Sequence, residues 1–430
     1  MVKTLLMVES WCYSSGILLP RKIRELGHRY VFVTKCPQLY QDHAEPGQRH
    51  PVLELAEAVI ECDTNDPDAL TAEARALHAR YGFDGTITSC DYYLTTVATL
   101  AETLGLPGIP AEAFHRAANK YRMRQALESA SLPNAGFALA RTAQEARQAA
   151  ERLGFPLIAK PSDLCASMYV KKVDSSAELE AAVAAITEVR ENTRGQALEG
   201  FALLESFLEG EEVSVEVCLD RGRFRLLGIT DKSLGGRTLC VEDGHMFPAD
   251  LPAAEQSAIA DYVEACLAAI GYDHGVAHVE VRLTPAGPVV VEVNPRLGGN
   301  YIAELVELVT GVSPLTLMIQ SALGLPLDCD RRETGLASAA VRFLVPETTG
   351  RLQRIDGAAA LETSPGLHRY AITAQEGQDV AAAEDNNGYL GYAICTDPDG
   401  LGARSLATGA LARLSPVIGP AEASETAETA

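Results

Sequence analysis

Residues 289–300, VVVEVNPRLGGN, constrain this chain more than any other segment. A β-branched run fills the faces of a strand. This one runs into Glu292, Asn294 and Arg296, with Gly298 and Gly299 close behind. Packing gives a buried strand no reason to finish on a carboxylate, an amide and a guanidinium. Side chains two apart share a face of an extended strand, so Glu292, Asn294 and Arg296 are expected to converge. Two oxygen ligands beside a cation suit a Mg²⁺–phosphate complex.

At 430 residues the chain allows two or three domains. Hydrophobic residues make up 47% and charged residues 22%, the balance of a globular enzyme rather than a disordered chain. No apolar run reaches the length of a membrane span, and the first residues read as a strand rather than a leader. The net charge of −22 argues against general binding to nucleic acid or anionic membrane, yet leaves room for a locally basic nucleotide pocket. The ten cysteines are scattered without a CxxC pair. They read as reduced core thiols in a cytoplasmic protein, not as a disulfide framework or zinc ribbon.

Residues 1–110 alternate short apolar runs (TLLMVE, YVFVT, AVIEC, GTITS) with helical patterns around 17–26, 67–81 and 94–104. That alternation predicts a doubly wound parallel sheet. No GxGxxG follows the first strand, so a dinucleotide fingerprint is absent. A helix over 119–130 with Asn119 as its cap comes next. Strands and helices then alternate to 189, and strands dominate from 201 to 294 around a helix at 253–270. Asp231–Arg237 reads as a loop. Two short helices follow Tyr301, the region 331–415 reads as α+β, and 416–430 as a disordered Ala/Glu/Thr-rich tail.

Glu280 lies on a strand that a tight turn joins to the strand of Glu292, so the two carboxylates can face each other. Bare carboxylates repel at that range, and a divalent cation between them would resolve the repulsion. Lys160 ends an apolar strand and Lys120 opens a helix. Either can act as a point charge on phosphate. Glu205 closes another buried strand and Glu212 opens the next, a hinge that can read an adenine edge or equally be a solvated acidic turn. His274, His278 and Glu280 share a strand face, but a further well-placed ligand for zinc is missing.

Taken in order, Lys120, Lys160 with its loop, Glu205 to Glu212, Glu280 and the Glu292-x-Asn294-x-Arg296-x-Gly298-Gly299 run resemble the ATP-grasp carboxylate–amine ligases. The resemblance covers about residues 1–330 and is closest to the L-amino acid (dipeptide) ligase branch. It implies an α/β protein: an ATP-grasp fold over 111–330, preceded by a Rossmann-like parallel-sheet domain over 1–110, with a C-terminal α+β lid or extension. Within 111–330 it implies a small ATP-binding subdomain at about 135–205 and a large metal and substrate subdomain at about 206–330. Lys120 and Lys160, with Ser162 and Ser167, would hold phosphates. Glu205 and the backbone through Phe207 and Leu208 would bind adenine, and Glu212 the ribose. Glu280, Glu292 and Asn294 would hold one or two Mg²⁺ ions, with Mn²⁺ as a substitute. Arg296 and Lys232 would serve the transferred phosphoryl group, Gly298 and Gly299 the substrate carboxylate, and His245 and His278 the substrate side.

The implied reaction is ATP-dependent amide formation through an acyl-phosphate, between an amino acid and a second amino acid or small amine. The implied partners are those small molecules and a second copy of the chain, not nucleic acid or membrane. A ribosylamine–glycine ligase, a biotin-carboxylase-like enzyme and a nucleotide-binding protein with little catalysis are the competing readings. One departure stands out. The family's glycine-rich phosphate loop is replaced at 161–169 by PSDLCASMY, which has no glycine for positive φ.

Overall fold

The computed structural model describes residues 1–44, 47–235, 241–383, 386 and 388–420. Strands β1 (Thr4–Val8), β2 (Arg29–Thr34), β3 (Ala58–Glu61) and β4 (Gly85–Ile87) form a parallel sheet in the order β3-β2-β1-β4. Each interior strand is an unbroken apolar run because helices cover both faces. The helix Pro67–Tyr81 shows how local chemistry sets its ends. The Asp66 carboxylate accepts from the amides of Asp68 and Ala69, and Gly82 at φ 63° closes it.

Next comes a four-stranded antiparallel sheet of β5 (Phe137–Ala140), β6 (Leu157–Pro161), β7 (Lys171–Val173) and β8 (Ala202–Ser206), ordered β5-β8-β6-β7. Helices Ala143–Leu153 and Ser176–Glu188 cover it with alanine-rich faces. Small side chains let helix and sheet approach closely.

The large sheet begins with β9 (Glu211–Asp220), β10 (Arg223–Gly235), β11 (Val241–Phe247), β12 (Gly275–Thr284) and β13 (Gly287–Asn294). The loop expected over Asp231–Arg237 is a correction: Asp231–Gly235 continues β10 and pairs with β11. Residues 236–240, which include Cys240, lie outside the described residues. The polar run misled because Lys232 faces an ionic cleft rather than solvent or core.

The remaining strands are β14 (Ser338–Leu344), β15 (Gly350–Asp356), β16 (Leu367–Ile372), β17 (Asp379–Val380), β18 (Gly391–Asp397) and β19 (Ser415–Gly419). β14, β18 and β16 extend the large sheet, giving eight strands in the order β13-β12-β9-β10-β11-β14-β18-β16. The C-terminal region is thus hydrogen-bonded into the same sheet at β11–β14. β17, β15 and β19 form a small separate sheet. Residues 416–419, expected to begin a disordered tail, belong to β19 and pair with β15; residues 421–430 of that expected tail lie outside the described residues.

The N-terminal sheet packs on the helices Ile302–Thr310 and Pro314–Ala322 through one core that includes Leu5, Phe32, Leu305, Leu317 and Val341. Among the described residues no single helix is long and apolar enough to cross a membrane.

Candidate active site

A cleft of about 640 Å³ opens where the three sheets meet. β12 and β13 form its floor. Glu280 and Glu292 are direct register partners there, at a bulge before Val281. Both line the cleft with Lys120, Lys160, Lys232 and Arg296.

Each carboxylate already has a cation. Lys120 Nζ lies 2.9 Å from Glu292 and also donates to the Leu164 carbonyl at 3.0 Å. The Asn294 amide donates to Glu292 at 2.8 Å, so Asn294 orients that carboxylate. Burial alone would raise the Glu292 pKa; Lys120 and then Asn294 outweigh it and hold the carboxyl below its usual range. Lys232 Nζ sits 2.8 Å from Glu212, 2.9 Å from Glu242 and 2.7 Å from Glu280, with its side chain only 1% exposed. Burial would neutralise it, but three carboxylates raise its pKa instead.

Lys160 and Arg124 share Glu205. Lys160 Nζ is 2.8 Å from one carboxylate oxygen, and Arg124 reaches both oxygens at 2.7 and 3.1 Å. Arg124 also donates to the carbonyls of Val290 and Val291, which ties β8 to β13. Glu205 is therefore spent on cations. Adenine was expected at Glu205 together with the hinge backbone through Phe207 and Leu208; all three residues line the cleft. Glu212 lines it too, paired with Lys232 and with Arg282 at 2.9 Å.

Other expected residues are placed differently. Ser162 is fully buried and donates to Glu199 at 2.6 Å; it does not line the cleft, whereas Ser167 does. His245 is also buried, behind Glu242 at 3.3 Å and edge-on to Phe343, so it supports Glu242 rather than facing a substrate. His278 does line the cleft, held between Glu216 at 2.9 Å and Glu280 at 3.3 Å. Arg296 Nε donates to Asp91 at 2.6 Å. Gly298 and Gly299 follow in the cleft wall.

The glycine-free loop still enters the left-handed region. Ala166, Ser167 and Tyr169 have φ of 56°, 58° and 59°. Non-glycine residues pay for this, about 1–2 kcal/mol each. The conformation a glycine would adopt freely is here reached under strain.

Sequence reasoning missed Asp91, Arg124, Glu242 and Arg282, all partners of residues it named. Asp91 carried one usable signal: it follows the carboxyl end of parallel strand β4, where ligands gather in such sheets. Arg124 stands one helical turn after Lys120, on the same face.

Among the described residues no group of three or more His, Cys, Asp or Glu side chains is gathered as a metal cage. Two carboxylates and an amide nevertheless fit Mg²⁺, which takes few protein oxygens and completes its shell with phosphate and water.

Comparison with known proteins agrees with this architecture. A model of the ATP-grasp domain matches residues 153–304, and one of the ATP-grasp N-terminal domain matches residues 21–108. The chain thus carries an ATP-grasp domain preceded by an ATP-grasp N-terminal domain. The model of L-amino acid ligase C-terminal domain 2 matches residues 342–419. The fold resembles the crystal structure of L-amino acid ligase from Bacillus licheniformis, with a TM-score of 0.81 and 23% identity over 97% of this chain and 99% of that one. By sequence the chain is 27% identical to the uncharacterized protein y4rH of Sinorhizobium fredii, over 93% of this chain and 79% of the relative. It is 29% identical to carnosine synthase 1 of Gallus gallus over 67% of this chain, but that match spans only 32% of the relative.

Proposed function

We propose that this protein is an ATP-dependent carboxylate–amine ligase that joins an amino acid to a second amino acid or small amine. The observation that carries the reading is the register pairing of Glu280 with Glu292 in one cleft with Lys120, Lys160, Lys232 and Arg296. The C-terminal domain type favours amino-acid substrates over the ribosylamine or biotin-carboxylase alternatives.

A carboxylate and an amine do not condense in water because oxide is a poor leaving group. An oxygen of the substrate carboxylate attacks the γ-phosphorus of ATP, and ADP leaves. The amine nitrogen then attacks the acyl-phosphate carbon, phosphate leaves, and an amide remains. In this reading Lys120 and Lys160 neutralise nucleotide phosphates, and the hinge backbone at 206–208 receives adenine. Glu212 takes the ribose. Glu280, Glu292 and Asn294 would hold Mg²⁺, which supplies charge neutralisation at the β- and γ-phosphates. Arg296, held by Asp91 and the Leu297 carbonyl, would place its positive charge beside the transferring group. The amides of Gly298 and Gly299 approach the substrate carboxylate. The strained 165–169 segment, together with Trp11 and Tyr92, screens the acyl-phosphate from water. Free thiols, which all nine cysteines among the described residues are, suit a cytoplasmic setting.

The test is ADP release over a panel of amino-acid pairs with Mg²⁺, alongside mass detection of the dipeptide. Equimolar ADP and amide is the expected result. Nucleotide binding with no turnover on any pair would sink the ligase reading.

A further inference from the structure

Among the described residues, six lysine or arginine side chains line the cleft. Five have a carboxylate: Lys120 with Glu292, Lys160 with Glu205, Lys232 with Glu280, Arg282 with Glu212, and Arg296 with Asp91. Arg194 is the sixth. Among the described residues no carboxylate oxygen lies within ion-pair distance, 4.0 Å, of it. It sits on the connection between the helix Ser176–Glu188 and β8. One terminal nitrogen donates to the Ser10 carbonyl at 2.5 Å, while the other is buried without a hydrogen-bond partner. The guanidinium carbon lies 5.4 Å from the ring centre of Trp11 and 5.7 Å from that of Tyr40. These rings hold the cation without neutralising it.

The nearby acid does not serve as its counter-ion. Glu9 accepts from Thr34, Thr64, Tyr40 and the Lys35 amide, so both its oxygens are satisfied, and it reaches Arg194 only by its longer-range field. A half-buried guanidinium beside a cleft, with one terminal nitrogen buried and unpaired, is costly unless an anion completes it.

The location indicates which anion. Trp11 Nε1 donates to Asp91 at 2.8 Å, and Asp91 in turn holds Arg296. Arg194 therefore stands one indole and one carboxylate away from the residue assigned to phosphoryl transfer. A nucleotide phosphate belongs on the Lys120–Lys160 side. What remains is a carboxylate that does not react. We infer that Arg194 binds the free carboxylate of the amine acceptor, which makes that acceptor an amino acid rather than a simple amine. The apolar side chains of Leu39, Leu315 and Met318 line the same cleft and suit an acceptor with an apolar side chain. This inference rests on the ligase reading for the word acceptor, but its test does not need turnover.

Trp11 is the only tryptophan of the chain, so its emission reports on this site. The full-length protein with ADP and Mg²⁺ would be titrated with L-leucine, with isoamylamine (leucine without its carboxylate) and with 4-methylpentanoate (leucine without its amine). Leucine should shift Trp11 emission saturably and bind at least tenfold more tightly than isoamylamine. Arg194→Gln should raise the leucine Kd at least tenfold and leave isoamylamine unchanged. Arg194→Lys, which keeps the charge and loses the fork, should fall between and covers the case of a poorly folded Gln variant. In turnover the effect should sit in KM for the acceptor, not in KM for the donor.

Equal affinity of the wild type for leucine and isoamylamine would overturn the proposal. So would wild-type leucine binding by Arg194→Gln, an equal loss for both probes, or no Trp11 response to leucine, methionine or phenylalanine. A leucine response that requires Arg194, with no ADP release on any amino-acid pair, would count against the ligase reading and leave Arg194 as a carboxylate-binding residue.

Discussion

Two cations share the carboxylate of Glu205, and among the described residues neither has another carboxylate within ion-pair distance. Arg124 is fully buried and Lys160 nearly so. Burial would raise the Glu205 pKa, but Arg124 and then Lys160 outweigh it and hold the carboxyl at about 2. An unfolded glutamate titrates near about 4.3. The folded value is the lower one, so this contribution is present in full above the unfolded value and is lost as pH falls through about 2. Glu205→Gln should therefore lose about 3–5 kcal/mol at neutral pH by leaving two buried cations unpaired. Its urea-unfolding free energy should also fall less steeply than that of the wild type on the acid side of about pH 4.3. Glu292→Gln tests the chemistry instead: Mg²⁺-dependent ADP formation should drop by roughly two orders of magnitude or more, with an unchanged circular dichroism spectrum. The paired glycines separate shape from function. A methyl on Gly298 would lie 2.9 Å from His278 Nδ1 and 3.0 Å from Ile302, whereas one on Gly299 meets nothing within 4 Å. Gly298→Ala should cost about 1–3 kcal/mol. Gly299→Ala should keep the wild-type melting temperature, so any loss of turnover there reads substrate approaching the backbone. At this scale the residues that bear unusual charge in a strand context were legible: Glu280, Glu292, Lys160 and Arg296. Their partners were not, because Asp91 and Arg296 are 205 positions apart and no local pattern links them.

Among elements, the 161–169 loop carries the clearest cost. Ala166 at φ 56° lacks any side chain that could repay its left-handed backbone. Ala166→Gly should raise stability by roughly 0.5–1 kcal/mol, the relief of αL strain exceeding the added chain entropy, as read by thermal or urea melts. Strand–helix alternation over 1–110 was readable because each interior strand is apolar on both faces and the helices Pro67–Tyr81 and Leu94–Leu104 end on glycine, at Gly82 and Gly105. The helix Ala111–Ala118 was not predicted. Its buried side is alanine, at Ala113 and Ala117, too weak a stripe to stand out from the sequence. β10 was cut short for a related reason: Lys232 is buried by ion pairs, so hydropathy reports the opposite of its true environment.

Across the whole molecule, the cleft depends on three units meeting. Arg124 fastens the small sheet to β13, Asp91 reaches over from the N-terminal sheet, and Arg342 on β14 grips Asp243 with two hydrogen bonds of 2.9 Å. The last of these belongs to a region whose sequence suggested a separate annex. β14 and β11 instead share a backbone ladder, and Met246 packs into the core formed with Ala340, Ala393 and Ala407. A chain ending at residue 335 should bare the β11 edge and that apolar face, and it should partition into the insoluble fraction on expression; soluble, nucleotide-binding protein from that truncation would refute the dependence. Such a seam has a further meaning for engineering and for descent. A chimera that takes residues 336 onward from a cousin must match hydrogen-bond phase along residues 244–247, not merely a linker. Recombination can hardly graft this portion as a loose bead; it has to be inherited with the strand it leans on.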